Sequence, residues 1–329
     1  MAKSMRTLAA AVALTIGFAA PALAAEKLVI YTSMKESLIG KLKDAFIVKH
    51  PDINVDYQSA GAGKLMAKIA AERQSGSIQA DVLWTSEVPD FYSMKKEGLL
   101  FAYKSPEMEN ALNPFEDYDG SFTAARLGTL GIAYNTRQIK TAPTSWEDMK
   151  KPEYKKAFGI ADPALSGTSY MSVASLVKQF GWKYFEDLKA NQARMGKGAG
   201  QVVDDTASGA LAACLAVDYI TIDKISKGAN IELVYPPEML VIPSPIAIIK
   251  DTPNVEAAKK FVDFLLSKEG QTILAAEGTL PVRADVPVAD KRLPNPEDAI
   301  KRSIKIDYPA LIAEKEETIK QFTKIMQGR

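Results

Sequence analysis

The sequence predicts an α/β protein of two lobes, each a mixed sheet flanked by helices, joined by two connecting strands. Three observations carry this. Apolar strand, polar turn and amphipathic helix alternate along the chain. Two glycine- or proline-bearing apolar runs interrupt the alternation, and the pattern restarts after the first of them. Strands that alternate with helices argue for parallel sheets covered on both faces.

The chain opens with Lys3 and Arg6, an apolar stretch over residues 7–20, and small residues at Ala22 and Ala24. A charged start, a short apolar core and an A-x-A site mark a secretory leader, with cleavage expected after Ala24. "KLVIYTS" then reads as a strand leading into a helix. Leu38, Leu42, Phe46 and Ile47 follow helical spacing there, and Pro51 ends it. "DINVDYQSAG" alternates as a strand, and "AGKLMAKIAAERQSG" is an amphipathic helix closed by Gly76. "ADVLWTS" is a third strand, followed by Pro89 and the helical "DFYSMKKEG".

"RLGTLGIAYNT" is the first connecting strand, and "SWEDMKKPEYKK" reads as a surface helix and turn. "AFGIADPALSGTSYMSVASLVKQFG" restarts the strand–turn–helix pattern. "GQVVDDTASGALAACLAVDYITIDKISKG" reads as strand, helix, strand and short helix. "MLVIPSPIAIIK" is the second connecting strand, and helices fill the rest of the chain. The expected division is a leader over 1–24, one lobe from 25–127 with 246–290, and another from 128–245 with 291–329.

Composition narrows the chemistry. The formal net charge is +1, and losing Lys3 and Arg6 with the leader makes it slightly negative. Neither nucleic acid nor an anionic membrane is expected as the main partner. Cys214 is the single cysteine, so an exported chain holds no internal disulfide and must rest on its core. Cys214 itself reads as a buried apolar residue, and His50, the single histidine, as a partner of a helix C-terminus. One thiol and one imidazole make Cys/His catalysis or a multi-histidine zinc site hard to build, and neither metal nor cofactor is expected.

In open α/β sheets ligands sit beyond the carboxyl ends of the strands. The turns there are "YTSMKES", "QSAGAGK", "WTSEV", "DPALSGTSY", "DDTASG" and "DYITID", rich in hydroxyls and poor in arginine. Hydroxyls and the free N–H groups of helix N-termini suit an anion. The expected anion end is Thr32, Ser33, Ser59, Ser86, Ser166, Thr168 and Ser169. Asp205, Asp218 and Tyr219 would read hydroxyls or an amine at the other end, with Tyr31 and Trp84 as walls. The plainer reading is capping: Ser33 and Glu36 form an S-x-x-E box, and Ser166 and Asp205 are N-cap candidates.

These segments, above all "KLVIYTSMKESLIGKLKDAFIVKHPDINVDY", "ADVLWTSEVPDFYSMKKEGLL", "LGTLGIAYNT", "PSPIAIIK" and "AKKFVDFLLSKEGQ", resemble the bacterial periplasmic solute-binding proteins of ABC importers. The likeness is to the ferric-iron-binding-like branch. It implies a type II bilobed fold with two hinge strands, a periplasmic location, closure on a solute, and docking of the closed form on an inner-membrane permease. Iron-holding members use two adjacent tyrosines where this chain has Asp218-Tyr219, whereas other members capture phosphorylated sugars, phosphonates, thiamine or polyamines. The expected ligand is therefore an organophosphorus compound, a sugar phosphate or an aminoalkylphosphonate, bound by a monomer without turnover. Rival readings are ferric iron held by Tyr219 and a secreted hydrolase, though no G-x-S-x-G is present.

Overall fold

The computed structural model describes residues 26–115 and 118–328; the expected leader lies outside them. The first wing is built from β1 (Glu26–Thr32), α1 (Glu36–Lys49), β2 (Ile53–Ser59), α2 (Ala62–Gln74), β3 (Val82–Trp84), α3 (Val88–Lys96) and β4 (Leu100–Phe101). β1 lies between β2 and β3, parallel to both. Helical spacing puts Leu38, Ile39, Leu42 and Phe46 of α1 on its buried face. Burying each such side chain contributes roughly 1.5–3 kcal/mol.

The chain then crosses on β5 (Thr123–Asn135), and the second wing follows. It comprises β6 (Phe158–Ala161), α4 (Gly167–Phe180), α5 (Trp182–Ala190), β7 (Arg194–Gly196), α6 (Ala199–Ser208), β8 (Ala213–Val217), α7 (Asp218–Ser226) and β9 (Ile231–Val234). β6 is parallel to β7 and β8. Between β5 and β6, "SWEDMKKPEYKK" is not a surface helix. It forms two short 3-10 turns, Trp146–Lys150 and Pro152–Tyr154, because Pro152 has no N–H with which to continue. Trp146, Met149 and Tyr154 are buried in the core.

β10 (Leu240–Ile249) returns antiparallel to β5 and then pairs with β3. β5 in turn pairs with β8 and β9. The sheets of the two wings thus meet in one path, β2-β1-β3-β10-β5-β8-β6-β7. Pro243 and Pro245 flank Ser244 in β10, and the register with β5 shifts between Ser244 and Pro245. Proline is tolerated inside a sheet at such an irregularity, where no ladder donor is required.

The remaining helices are α8 (Val255–Leu266), α9 (Lys268–Ala276), α10 (Pro296–Arg302) and α11 (Tyr308–Gln327). α8 packs on the first wing, with Phe261 and Phe264 edge-on to Phe46. α11 packs against α3 of one wing and against α4 and α5 of the other. Its Phe322 meets Phe185 of α5 edge-on.

Candidate functional site

The carboxyl ends of the parallel strands in both wings face one cavity of about 220 Å³. Ser33 follows β1, Gly61 follows β2 and Ser86 follows β3; Ser166 and Thr168 follow β6, Lys197 follows β7 and Tyr219 follows β8. The first turns of α1, α2, α4, α6 and α7 are therefore gathered around one space. Side chains meet first-turn donors at two of these ends, Ser166 accepting from the Ser169 N–H of α4 at 3.4 Å and Asp218 from the Tyr219 N–H of α7, whereas α1, α2 and α6 have no side-chain cap. Each uncapped end favours an anion by about 0.3–1 kcal/mol.

Arg126, carried by the connecting strand β5, joins the lining although it is only 1 % exposed. Its Nη1 lies 3.2 Å from Asp218 Oδ1 and also donates to Thr279 Oγ1. The guanidinium lies 4.8 Å over the Tyr219 ring. Asp218 further accepts from Thr129 N–H at 2.8 Å, Thr129 Oγ1 at 3.1 Å, Thr279 Oγ1 at 2.9 Å and Tyr219 N–H at 2.7 Å. Every oxygen of this buried carboxylate is thus engaged in holding the arginine and its frame, as a buried ion pair requires. Arg126 Nε has no hydrogen-bond partner. Lys35, Lys64 and Lys197 complete the basic lining, and no carboxylate belongs to it. Lys35 is half-buried, and desolvation lowers its pKa, opposed by the charge of Asp204.

The structure brings Ser33, Ser86, Ser166, Thr168 and Tyr219 to the cavity. Ser33 does not cap α1: the N-cap is Lys35, and the exposed Glu36 closes no capping box. The other expected residues lie elsewhere, each for a local reason. Tyr31 is buried against α2, donating to Glu72 Oε1 at 2.7 Å. Thr32 is buried and accepts from Met34 N–H at 3.1 Å, closing the turn. Ser59 donates to the Met34 carbonyl at 2.7 Å, and Trp84 is buried within the sheet. Ser169 donates back to the Ala161 carbonyl. Asp218 stands behind Arg126. Asp205 is not at a strand end at all: Val202 and Val203, read as a strand, are the buried face of α6, and the strand is β7 upstream.

Lys35 and Lys64 stand within the polar turns "YTSMKES" and "QSAGAGK" but were not among the expected site residues, whereas Arg126 and Lys197 lie outside those turns. The G-x-G-A-G run over residues 196–200 was the signal for the α6 start. His50 is the C-cap of α1 beside Phe46, and Cys214 is buried in β8, its pKa pushed up to about 12 by burial.

Two further contacts join the wings around the cavity. Lys35 N–H donates to the Tyr219 hydroxyl at 3.2 Å. Gly61 and Gly63 of the first wing lie so close to the second that a Cβ would stand 2.4 Å from the Leu165 carbonyl oxygen and 2.5 Å from that of Ala164. Next to Ser86, the buried Glu87 and Asp90 share Lys315 of α11, with Asp90 Oδ1 at 2.7 Å. Burial and then the neighbouring Asp90 push the Glu87 pKa up to about 7, with Lys315 opposing.

Residues 79–304 match the family described as bacterial extracellular solute-binding protein, and the chain belongs to it. A Salmonella typhimurium protein, provisionally named a 2-aminoethylphosphonate-binding periplasmic protein, is 28% identical over 260 residues, covering 75% of each chain. The major ferric iron-binding protein of Neisseria meningitidis is 27% identical over 309 residues, covering 88% of this chain and 87% of its own. The structure of the periplasmic binding protein AfuA from Actinobacillus pleuropneumoniae, bound to fructose-6-phosphate, matches with a TM-score of 0.80 at 26% identity. It covers 92% of this chain and 98% of that one. The family and these neighbours are solute-binding proteins of ABC importers rather than enzymes.

Proposed function

We propose that this chain captures a phosphate ester or phosphonate in the periplasm and delivers it, unchanged, to an ABC import permease. One observation carries the reading. The uncapped ends of α1, α2 and α6 and the guanidinium of Arg126 converge on a cavity whose lining holds no carboxylate. A phosphoryl dianion would take hydrogen bonds from Ser33, Ser86, Ser166 and Thr168 and charge from Arg126. The names of the Salmonella and Actinobacillus relatives point the same way. The two wings would act as lobes hinged at β5 and β10, with solute selecting the closed arrangement.

Ferric iron is the poorer fit. Among the lining residues only Tyr219 offers an acidic oxygen, its pKa is raised by burial, and the surrounding charges are positive. Hard Fe³⁺ prefers several anionic oxygens. Thermal-shift titration with inorganic phosphate, glycerol 3-phosphate, fructose 6-phosphate, 2-aminoethylphosphonate and ferric citrate decides between them, because a ligand of the folded state raises the midpoint. A shift with phosphorus compounds, which are then recovered intact, is expected. A shift with iron alone, or turnover of the ester, overturns the proposal.

A further inference from the structure

We infer that the solute carries a second anionic group beside its phosphoryl group, as a phosphorylated carboxylic acid or a bisphosphate does, and carries no ammonium group. This rests on the phosphoryl reading of the cavity and narrows it.

Arg126 is matched from behind by Asp218. Lys35, Lys64 and Lys197 have no carboxylate within ion-pairing distance among the described residues. The acidic group acting most strongly on Lys35, Asp204, is itself paired with Lys224 at 2.7 Å. Asp223, the other acid acting on Lys35, is held by Lys227.

Lys35 also sits where a cation is least welcome. A Cβ on Gly200 would stand 3.1 Å from Lys35 Nζ, so the ammonium rests against the first turn of α6, the positive end of that helix. Half-buried, without a counterion and beside a like-signed dipole, it is an arrangement that a bound anion relieves. Lys64 and Lys197 approach the same cavity from opposite wings. A phosphoryl dianion held by Arg126 and the helix ends leaves the half-buried Lys35 without a counterion, and a second anionic group supplies one, drawn as well by the solvent-exposed Lys64 and Lys197. An ammonium group on the solute would meet the lysines and find no carboxylate on the wall. The acids expected to serve it, Asp205 and Asp218, do not line the cavity.

The test is calorimetric titration with two matched pairs: glycerol 3-phosphate against 3-phosphoglycerate, and fructose 6-phosphate against fructose 1,6-bisphosphate. 2-Aminoethylphosphonate is the third arm. In at least one pair the more acidic member is expected to bind about tenfold tighter, the effect of one partly desolvated charge contact. The aminophosphonate is expected to be the weakest. The double variant Lys64→Met, Lys197→Met should weaken the more acidic member of the pair more than the simple ester, so that the preference is lost and the salt dependence flattens. Equal binding within both pairs, tightest binding of the aminophosphonate, or equal weakening of both members by the double variant overturns the inference while leaving the phosphoryl reading standing. If none of the phosphorus compounds binds, both fall together.

Discussion

Arg126 and Asp218 form a buried ion pair, Nη1 to Oδ1 at 3.2 Å, between the strand that joins the wings and the first residue of α7. Removing one member of such a pair leaves the other charged, desolvated and alone. Asp218→Ala is therefore expected to cost roughly 3–5 kcal/mol in urea unfolding. It should also weaken solute binding, since Arg126 loses its frame. Unfolding of the variant within about 1 kcal/mol of the parent would show that Arg126 finds another partner.

Ser33 and Ser166 both line the cavity but differ in structural duty. Ser33→Ala removes a hydroxyl that caps nothing, so stability should stay within about 0.5 kcal/mol while affinity falls. Ser166→Ala removes the α4 cap as well and should cost about 1 kcal/mol in addition to affinity. Paired thermal melts and titrations read both quantities. Equal destabilisation by the two variants would contradict the assignment of the cap.

Glu87 predicts a pH dependence. Its ordinary pKa of 4.5 is raised to about 7 by burial. Between those values the folded chain holds a proton that the unfolded chain has lost, so stability falls as pH rises through the window. Asp90, raised by its own burial, acts in the same direction. Urea unfolding at about pH 5 and about pH 7.5 should show the decline, and Glu87→Gln should reduce it. An unchanged slope in the variant would locate the proton elsewhere.

Gly63 separates folding from closure. Alanine inside a helix is favoured over glycine by up to about 1 kcal/mol, so Gly63→Ala should leave the unliganded chain as stable as before or more so. In the arrangement described here its Cβ would stand 2.5 Å from the Ala164 carbonyl oxygen. Ligand affinity should therefore drop, and small-angle scattering should show no compaction on adding solute. Parent-like affinity would mean that the seam yields without cost.

The sequence made the frame of the protein readable and hid half of its site. β5 and β10 stood out because long apolar runs carrying Gly128, Gly131, Pro243 and Pro245 fit neither a helix nor an ordinary core strand. Ser166 was legible as a cap because capping is local. Arg126 was not, because it lies within a strand and its direction depends on pairing with distant β10. Asp205 was misplaced when two valines on a helix face imitated a strand. Lys35, Lys64 and Lys197 look like ordinary solvated lysines in the sequence, and Lys64 and Lys197 do stay exposed; that all three border one cavity follows only from the convergence of three helices from two wings.

The seam of Gly61 and Gly63 against the carbonyls of Ala164 and Leu165 has a consequence for signalling. Its contacts are backbone to backbone, so the side chains around it write little into its outer surface, although Gly61 and Leu165 also line the cavity on its inner side. A membrane partner touching the outside of the seam would learn whether the compartment is shut, not what is in it. Selectivity and the message of occupancy would then be carried by separate parts of one molecule, and the cargo could change in evolution without any change in the message.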